Sequence, residues 1–171
     1  MSRLALALSL ALSSAPATGQ VKLGIDVLLE DRIELVEGLR VGLVTHPAGV
    51  DSALVPTIDR LAADERVRLV QLFGPEHGVR GDVAAGEDVS DARDPRTGVP
   101  VESLYGARRR PSKESLERID VLLFDLQDVG ARMYTYISTL GEVMTAAGEA
   151  GVKVVVLDRP NPLGGLRFEG P

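Results

Sequence analysis

A Rossmann-like α/β domain, with an open parallel sheet covered by helices on both faces in three layers, is the fold class this sequence predicts. Three observations carry that prediction. The core has to be built from Val, Leu, Ile and Ala, because 44% of the 171 residues are hydrophobic yet there are three Phe, three Tyr and no Trp; strands covered on both faces are rich in such residues. Short β-branched runs alternate with helical patterns across short connections, the signature of right-handed βαβ units. Each run also ends in a polar or Gly/Pro-rich loop, which marks where one unit stops. The length suits one domain with a sizeable core.

The first helix is expected over residues 25–36, with Val27, Leu28, Leu35 and Val36 at helical spacing and Gly38 ending it. Residues 40–45 form the first strand and lead into His46-Pro47-Ala48-Gly49, a loop. Ser52 is expected to cap a helix running to Ala63, with Leu54, Ile58 and Leu61 on one face. Residues 67–73 are the second strand. The polar stretch 79–100, rich in Gly and acids, is long enough to be functional; at its end residues 97–101 read as a short edge strand. Ser112 caps a short helix to Arg118, and residues 120–126, the most hydrophobic run, belong centrally in the sheet. A helix over 136–150 puts Ile137, Leu140, Met144 and Ala147 on one stripe and closes at Gly151. Residues 153–157 are the next strand, followed by Asp158-Arg159-Pro160-Asn161-Pro162-Leu163-Gly164-Gly165, too rich in Pro and Gly for regular structure.

Composition narrows the function classes. A formal net charge of -6 argues against nucleic-acid binding. The basic run Arg108-Arg109-Arg110 lacks interleaved aromatics and reads as a solvated loop face. With no cysteine, thiolate nucleophiles and Cys-type zinc sites are excluded. The start has the form of a secretory leader: Met1-Ser2-Arg3, an apolar run over 4–12, then small residues around Ala15-Pro16-Ala17. Residues 1–19 are therefore expected to be a signal peptide, giving a secreted or periplasmic protein whose domain covers 20–171. The apolar run falls short of the ~20 residues a membrane span needs, so no span is expected after leader removal.

Ligands of an open parallel sheet bind at the carboxyl ends of its strands. The residues there are Thr45 and His46; Glu76 and His77; Asp125, Gln127, Asp128 and Arg132; Asp158, Arg159 and Asn161. None of the early βα turns carries Gly-x-Gly-x-x-Gly, and there is neither a Walker lysine loop nor a Gly-x-Ser-x-Gly turn, which disfavours dinucleotide binding and serine nucleophiles. Acid/base work by carboxylates remains, with metal binding by His46, His77 and Asp125 or Asp128 as the weaker alternative. No cofactor is expected. Glu76 is the most specific of these groups. Gly74-Pro75 and Gly78 bound its turn and fix the carboxyl against the sheet edge, where apolar neighbours favour the protonated form that a glycosidic leaving oxygen needs. Asp125, by contrast, reads equally well as a buried acid bonded to backbone amides or to Arg132 or Arg159.

Five blocks in this order carry a family resemblance: Phe73-Gly74-Pro75-Glu76-His77-Gly78-Val79-Arg80-Gly81, Thr97-Gly98-Val99-Pro100-Val101, Ser103-Leu104-Tyr105-Gly106, the run from Phe124 to Thr139, and Leu157 to Gly165. Together they resemble the NamZ-type exo-β-N-acetylmuramidases of bacteria, over nearly all of the chain from Val21 on. The resemblance implies a glycosidase that releases N-acetylmuramic acid from non-reducing ends of peptidoglycan fragments, with Glu76 as its catalytic glutamate. His77, Asp128, Arg132, Tyr134 and Asn161 would line the site. Arg80 or Arg132 is the natural partner for the lactyl carboxylate of the sugar. The second catalytic group is left among Asp125, Asp128, Glu169, the substrate's own acetamido oxygen and a residue in the C-terminal half that family members carry. Family members extend well beyond this length, so the chain is expected to correspond to their N-terminal part. A muropeptide-binding module without catalysis is the alternative function.

Overall fold

The computed structural model describes residues 21–81, 92–167, 169 and 170. The expected leader, residues 1–19, and much of the polar stretch after Gly81 lie outside the described residues. The elements in order are α1 (Gly24–Asp31), a 3-10 turn (Ile33–Leu35), β1 (Arg40–Thr45), α2 (Thr57–Ala63), β2 (Arg68–Gly74), β3 (Ala92–Arg93), β4 (Pro100–Ser103), α3 (Lys113–Leu116), β5 (Val121–Asp125), α4 (Tyr136–Ala150) and β6 (Lys153–Val156). They form a six-stranded sheet of order β3-β4-β2-β1-β5-β6. Every pairing is parallel except that of β3 with β4.

The alternating side chains of the central strands sort the core into two layers. On one face Val41, Leu43, Leu72, Val121 and Leu123 pack with Ile25, Leu28 and Leu29 of α1 and Ile58 and Leu61 of α2. On the other, Val44, Phe73, Leu122 and Phe124 pack with Leu116 of α3 and Val143, Ala146 and Ala147 of α4. This is the expected three-layer α/β fold.

Several expected elements shift for identifiable reasons. The first helix ends at Asp31, and the chain tightens into the 3-10 turn before Gly38. Ser52 does not cap α2. Asp51 holds a turn instead, its Oδ1 accepting from the amides of Ala53 and Val55, each at 2.8 Å, so the helix starts only after Pro56. Leu54, expected on the buried face, is exposed at φ 62°. Residues 97–101 do not make an edge strand. The amide and hydroxyl of Thr97 turn back onto Asp94 Oδ2 at 2.9 and 2.7 Å, and the strand begins at Pro100, flanked by β2 and β3. On α4 the sheet takes the face bearing Val143, Ala146 and Ala147, with Tyr136 and Leu140 partly buried beside them. Ile137 and Met144, expected in the stripe, point outward. Ser112 does cap α3, its side chain accepting from the Ser115 amide, and Gly151 ends α4 in the left-handed conformation.

Candidate active-site cleft

Strand order reverses at β1. The chain moves from β1 to β2 and β4 on one side, then returns to β5 and β6 on the other. Loops leaving the carboxyl ends on either side of that reversal diverge and leave a crevice. The expected functional residues are therefore gathered at one rim, but their tasks differ.

Asp125, at the end of β5, is fully buried. Arg159 clasps it with Nε at 2.6 Å and Nη2 at 2.9 Å, and the Thr57 hydroxyl donates to it at 2.6 Å. Arg159 also donates to the Val50 carbonyl at 2.8 Å. One carboxylate thus joins β5, the start of α2, the β1–α2 loop and the segment after β6. Space around it is fully used. A Cβ on Gly49 would lie 2.2 Å from Thr45 Oγ1 and 3.0 Å from Asp125 Oδ2, so only glycine fits. Asp125 and Arg159, both expected at the substrate rim, are hydrogen-bonded to each other.

Arg80 is likewise engaged. Its guanidinium donates to Asp94 at 2.7 and 3.0 Å and to Asp59 at 2.8 Å. The hydrogen bonds from Arg80 hold the Asp94 carboxyl far below the usual carboxylate range despite its burial. Arg80, expected as a partner for a substrate carboxylate, thus has its donors turned to Asp94 and Asp59. Arg132 is exposed.

Glu76 stands differently. It is half-buried in the wall of a cleft of about 690 Å³, whose lining includes Pro75, His77, Leu104, Tyr105, Arg109 and residues 133–136 of the α4 approach. Tyr105 is hydrogen-bonded to Glu76, and that bond, with the charge of Glu76, raises the phenol's pKa. Tyr105 is itself steadied by its amide donating to Ser103 Oγ at 3.1 Å. Tyr136 packs edge-on against His46 with centroids 5.0 Å apart, and Tyr134 packs edge-on against Tyr136 at 5.6 Å. Burial first, then the charges of Tyr134 and Glu76, raise the Tyr136 pKa. All three tyrosines of the chain line this one cleft.

The turn carrying Glu76 is held in an uncommon backbone conformation. His77 at φ 73° is followed by Gly78 at φ 74°. A left-handed non-glycine residue costs on the order of 1 kcal/mol or more and is retained where the surroundings demand it. His46 packs against Tyr136, and its buried Nδ1 has no hydrogen-bond partner among the described residues. Burial pushes its pKa down, the nearby Asp125 opposes that and Arg159 adds to it. Among the described residues no three His, Asp or Glu side chains are arranged to hold one metal ion.

Tyr136 also lines a second, smaller cavity of about 210 Å³, together with Asp128, Asp158, Arg159 and Asn161. Here the loops after β5 and β6 are tied together. Gln127 Nε2 donates to the Pro160 carbonyl at 2.7 Å. Asp128 Oδ1 accepts from the Gly130 amide at 2.8 Å, and Asn161 Oδ1 from the Leu163 amide at 2.9 Å. Gly130, at φ 74°, lies under Asn161, where a Cβ would come within 2.8 Å of Asn161 Oδ1. Sequence reasoning missed Tyr136 and Arg109 as lining residues and gave Tyr105 no role. Tyr136 reads as an ordinary helix start, and Arg109 sits within a charge run.

Fold and cleft define a doubly wound α/β domain with a carboxylate-bearing site at the reversal of its strand order. The family model described as exo-β-N-acetylmuramidase NamZ, N-terminal, matches residues 41–171, and the chain belongs to that family. It is 51% identical over 152 residues to the peptidoglycan β-N-acetylmuramidase NamZ of Bacillus subtilis (strain 168), covering 89% of this chain and 37% of that protein. Two crystal structures of DUF1343 family proteins from Bacteroides fragilis NCTC 9343 share the fold. One has a TM-score of 0.80 at 54% identity and covers 87% of this chain and 37% of its own; the other has a TM-score of 0.68 at 31% identity, with 82% and 35% covered. The chain thus spans little more than a third of the length of these relatives.

Proposed function

We propose that this chain forms the catalytic Rossmann-like part of an exo-acting glycoside hydrolase that releases N-acetylmuramic acid from the non-reducing ends of peptidoglycan fragments. The observation that carries the proposal is Glu76, half-buried in the larger of the two described clefts on a strained turn and hydrogen-bonded to Tyr105. The Bacillus subtilis relative, a peptidoglycan β-N-acetylmuramidase by name, supports the substrate class.

In this reading Glu76 gives its proton to the glycosidic oxygen as the bond to the anomeric carbon breaks. A second group has to act on the opposite face of the ring: a carboxylate, directly or through water, or the acetamido oxygen of the substrate itself. Asp125 is unsuited, since Arg159 and Thr57 occupy its oxygens. Asp128 takes this role: it is exposed and lines the neighbouring cavity across Tyr136. His77, Tyr134 and Asn161 contribute sugar contacts along the same rim, and Arg132 adds an exposed cation.

The test is hydrolysis of a chromogenic β-N-acetylmuramide by the chain and by Glu76→Gln. Removing a general acid is expected to lower kcat by about 100-fold or more, with secondary structure unchanged by circular dichroism. A variant that keeps the parental rate would eliminate Glu76 as the acid. Saturable muramyl-sugar binding with no turnover would instead favour a recognition module.

A further inference from the structure

The segment between β4 and α3 carries three consecutive arginines whose neighbours divide them. Arg108 Nη1 lies 3.4 Å from Glu102. Arg110 reaches α4, with Nε 3.6 Å from Glu142 and Nη1 3.7 Å from Glu149. Between them, Arg109 pairs with no carboxylate among the described residues, yet it is part of the wall of the Glu76 cleft. Among the described residues it is the one guanidinium that lines that cleft.

The remaining cations near the rim are committed or lie elsewhere. Arg80 is held by Asp94 and Asp59, and Arg159 by Asp125. Arg132 is a lining residue of neither cavity. Glu142, on the same wall as Arg109, already faces Arg110. The flanking ion pairs anchor the loop at both ends, so the free charge between them is presented at the cleft rather than drawn to a neighbour.

A second feature favours an anion at the same place. Helix α4 begins at Tyr136, Thr135 supplies no side-chain cap to it, and Thr135, Tyr136, Ser138 and Thr139 all line the cleft. The open amides and positive end of a 15-residue helix therefore border the space that Arg109 faces.

We propose that Arg109 is a specificity-determining residue of the cleft, receiving the carboxylate of the lactyl ether group that distinguishes a muramyl sugar from a glucosaminyl sugar. The planar guanidinium fork matches a carboxylate in bidentate fashion, which an ammonium does not. The assignment rests on the glycoside-hydrolase reading above and replaces Arg80 in the task expected of it.

The experiment compares the unmodified chain with Arg109→Ala, Arg109→Lys and, as an exposed-charge control, Arg118→Ala. For each, kcat/KM is measured on 4-nitrophenyl β-N-acetylmuramide and on the corresponding β-N-acetylglucosaminide, and Kd for the two free sugars by calorimetry. Arg109→Ala is expected to lower the preference for the muramyl over the glucosaminyl ligand by about tenfold. Arg109→Lys should restore part of it, and Arg118→Ala should leave it unchanged. Added salt should erode the preference of the unmodified chain more than that of Arg109→Ala.

An unchanged preference in Arg109→Ala overturns the assignment and leaves the hydrolase reading standing. Binding without turnover removes the hydrolase reading, and the ratio of Kd values then decides on Arg109 alone. A chain that neither binds nor cleaves either sugar overturns both.

Discussion

At the scale of single residues, the cleft depends on how Glu76 is held rather than on its presence alone. Tyr105 is the polar partner that fixes the carboxyl, and the turn through His77 and Gly78 carries it out from the end of β2. Replacing Tyr105 with Phe keeps the ring and removes the hydroxyl. We expect kcat on the chromogenic muramide to fall by about tenfold, the scale of one hydrogen bond to a charged group, with KM little altered. An unchanged kcat would show that the contact does not position the acid. The position of Glu76 at the rim was readable from sequence because glycine and proline bracket it directly after a strand. Tyr105 was not readable as its partner, since the contact depends on the parallel pairing of β2 with β4, which sets Gly74 opposite Ser103.

At the scale of elements, Asp125 is the joint between the two halves of the sheet. Its bonds to Thr57 and Arg159 tie the helix after β1 to the segment after β6, with Gly49 closing over it. Breaking a buried pair by deleting one partner leaves an uncompensated charge and costs about 3–5 kcal/mol. Asp125→Ala is therefore expected to lose about that much in urea unfolding, and a loss below about 1 kcal/mol would show that water or another group compensates. Sequence reading named Arg159 among the possible partners but could not choose it over Arg132, because the choice depends on where β6 delivers its trailing loop. Elements with strong local punctuation were fully legible. Examples are β1, and α4 with its closing Gly151. The start of α2 was not, because Ser52 and Asp51 compete for the same turn and the Asp51 side chain takes the amides.

At the scale of the whole molecule, the helical periodicity of α4 is satisfied twice over. The sheet buries Val143, Ala146 and Ala147, which leaves Ile137 and Met144 in solvent at 59% and 54% exposure. Val156, on the outermost strand β6, and Leu163 and Leu166 beyond it are exposed as well. An edge strand beside exposed apolar side chains is a template for association. The chain is expected to self-associate with rising concentration in sedimentation velocity, and an Ile137→Lys, Met144→Lys double variant to shift toward monomer. A single monomeric species at every concentration would refute this. The three-layer architecture was legible because hydrophobic runs and helical patterns alternate along the chain. Which helix face meets the sheet was not, since Ile137, Leu140, Met144 and Ala147 satisfy the same spacing as the face that is buried.

The gathering of every tyrosine around one cleft, in a chain without tryptophan, has an optical consequence. Tyrosine emission from this protein, excited at wavelengths too long for phenylalanine, originates wholly in the walls of that cleft. Occupancy can thus be followed by intrinsic fluorescence with no label, and the packed pair Tyr134 and Tyr136 makes its anisotropy sensitive to anything that separates them.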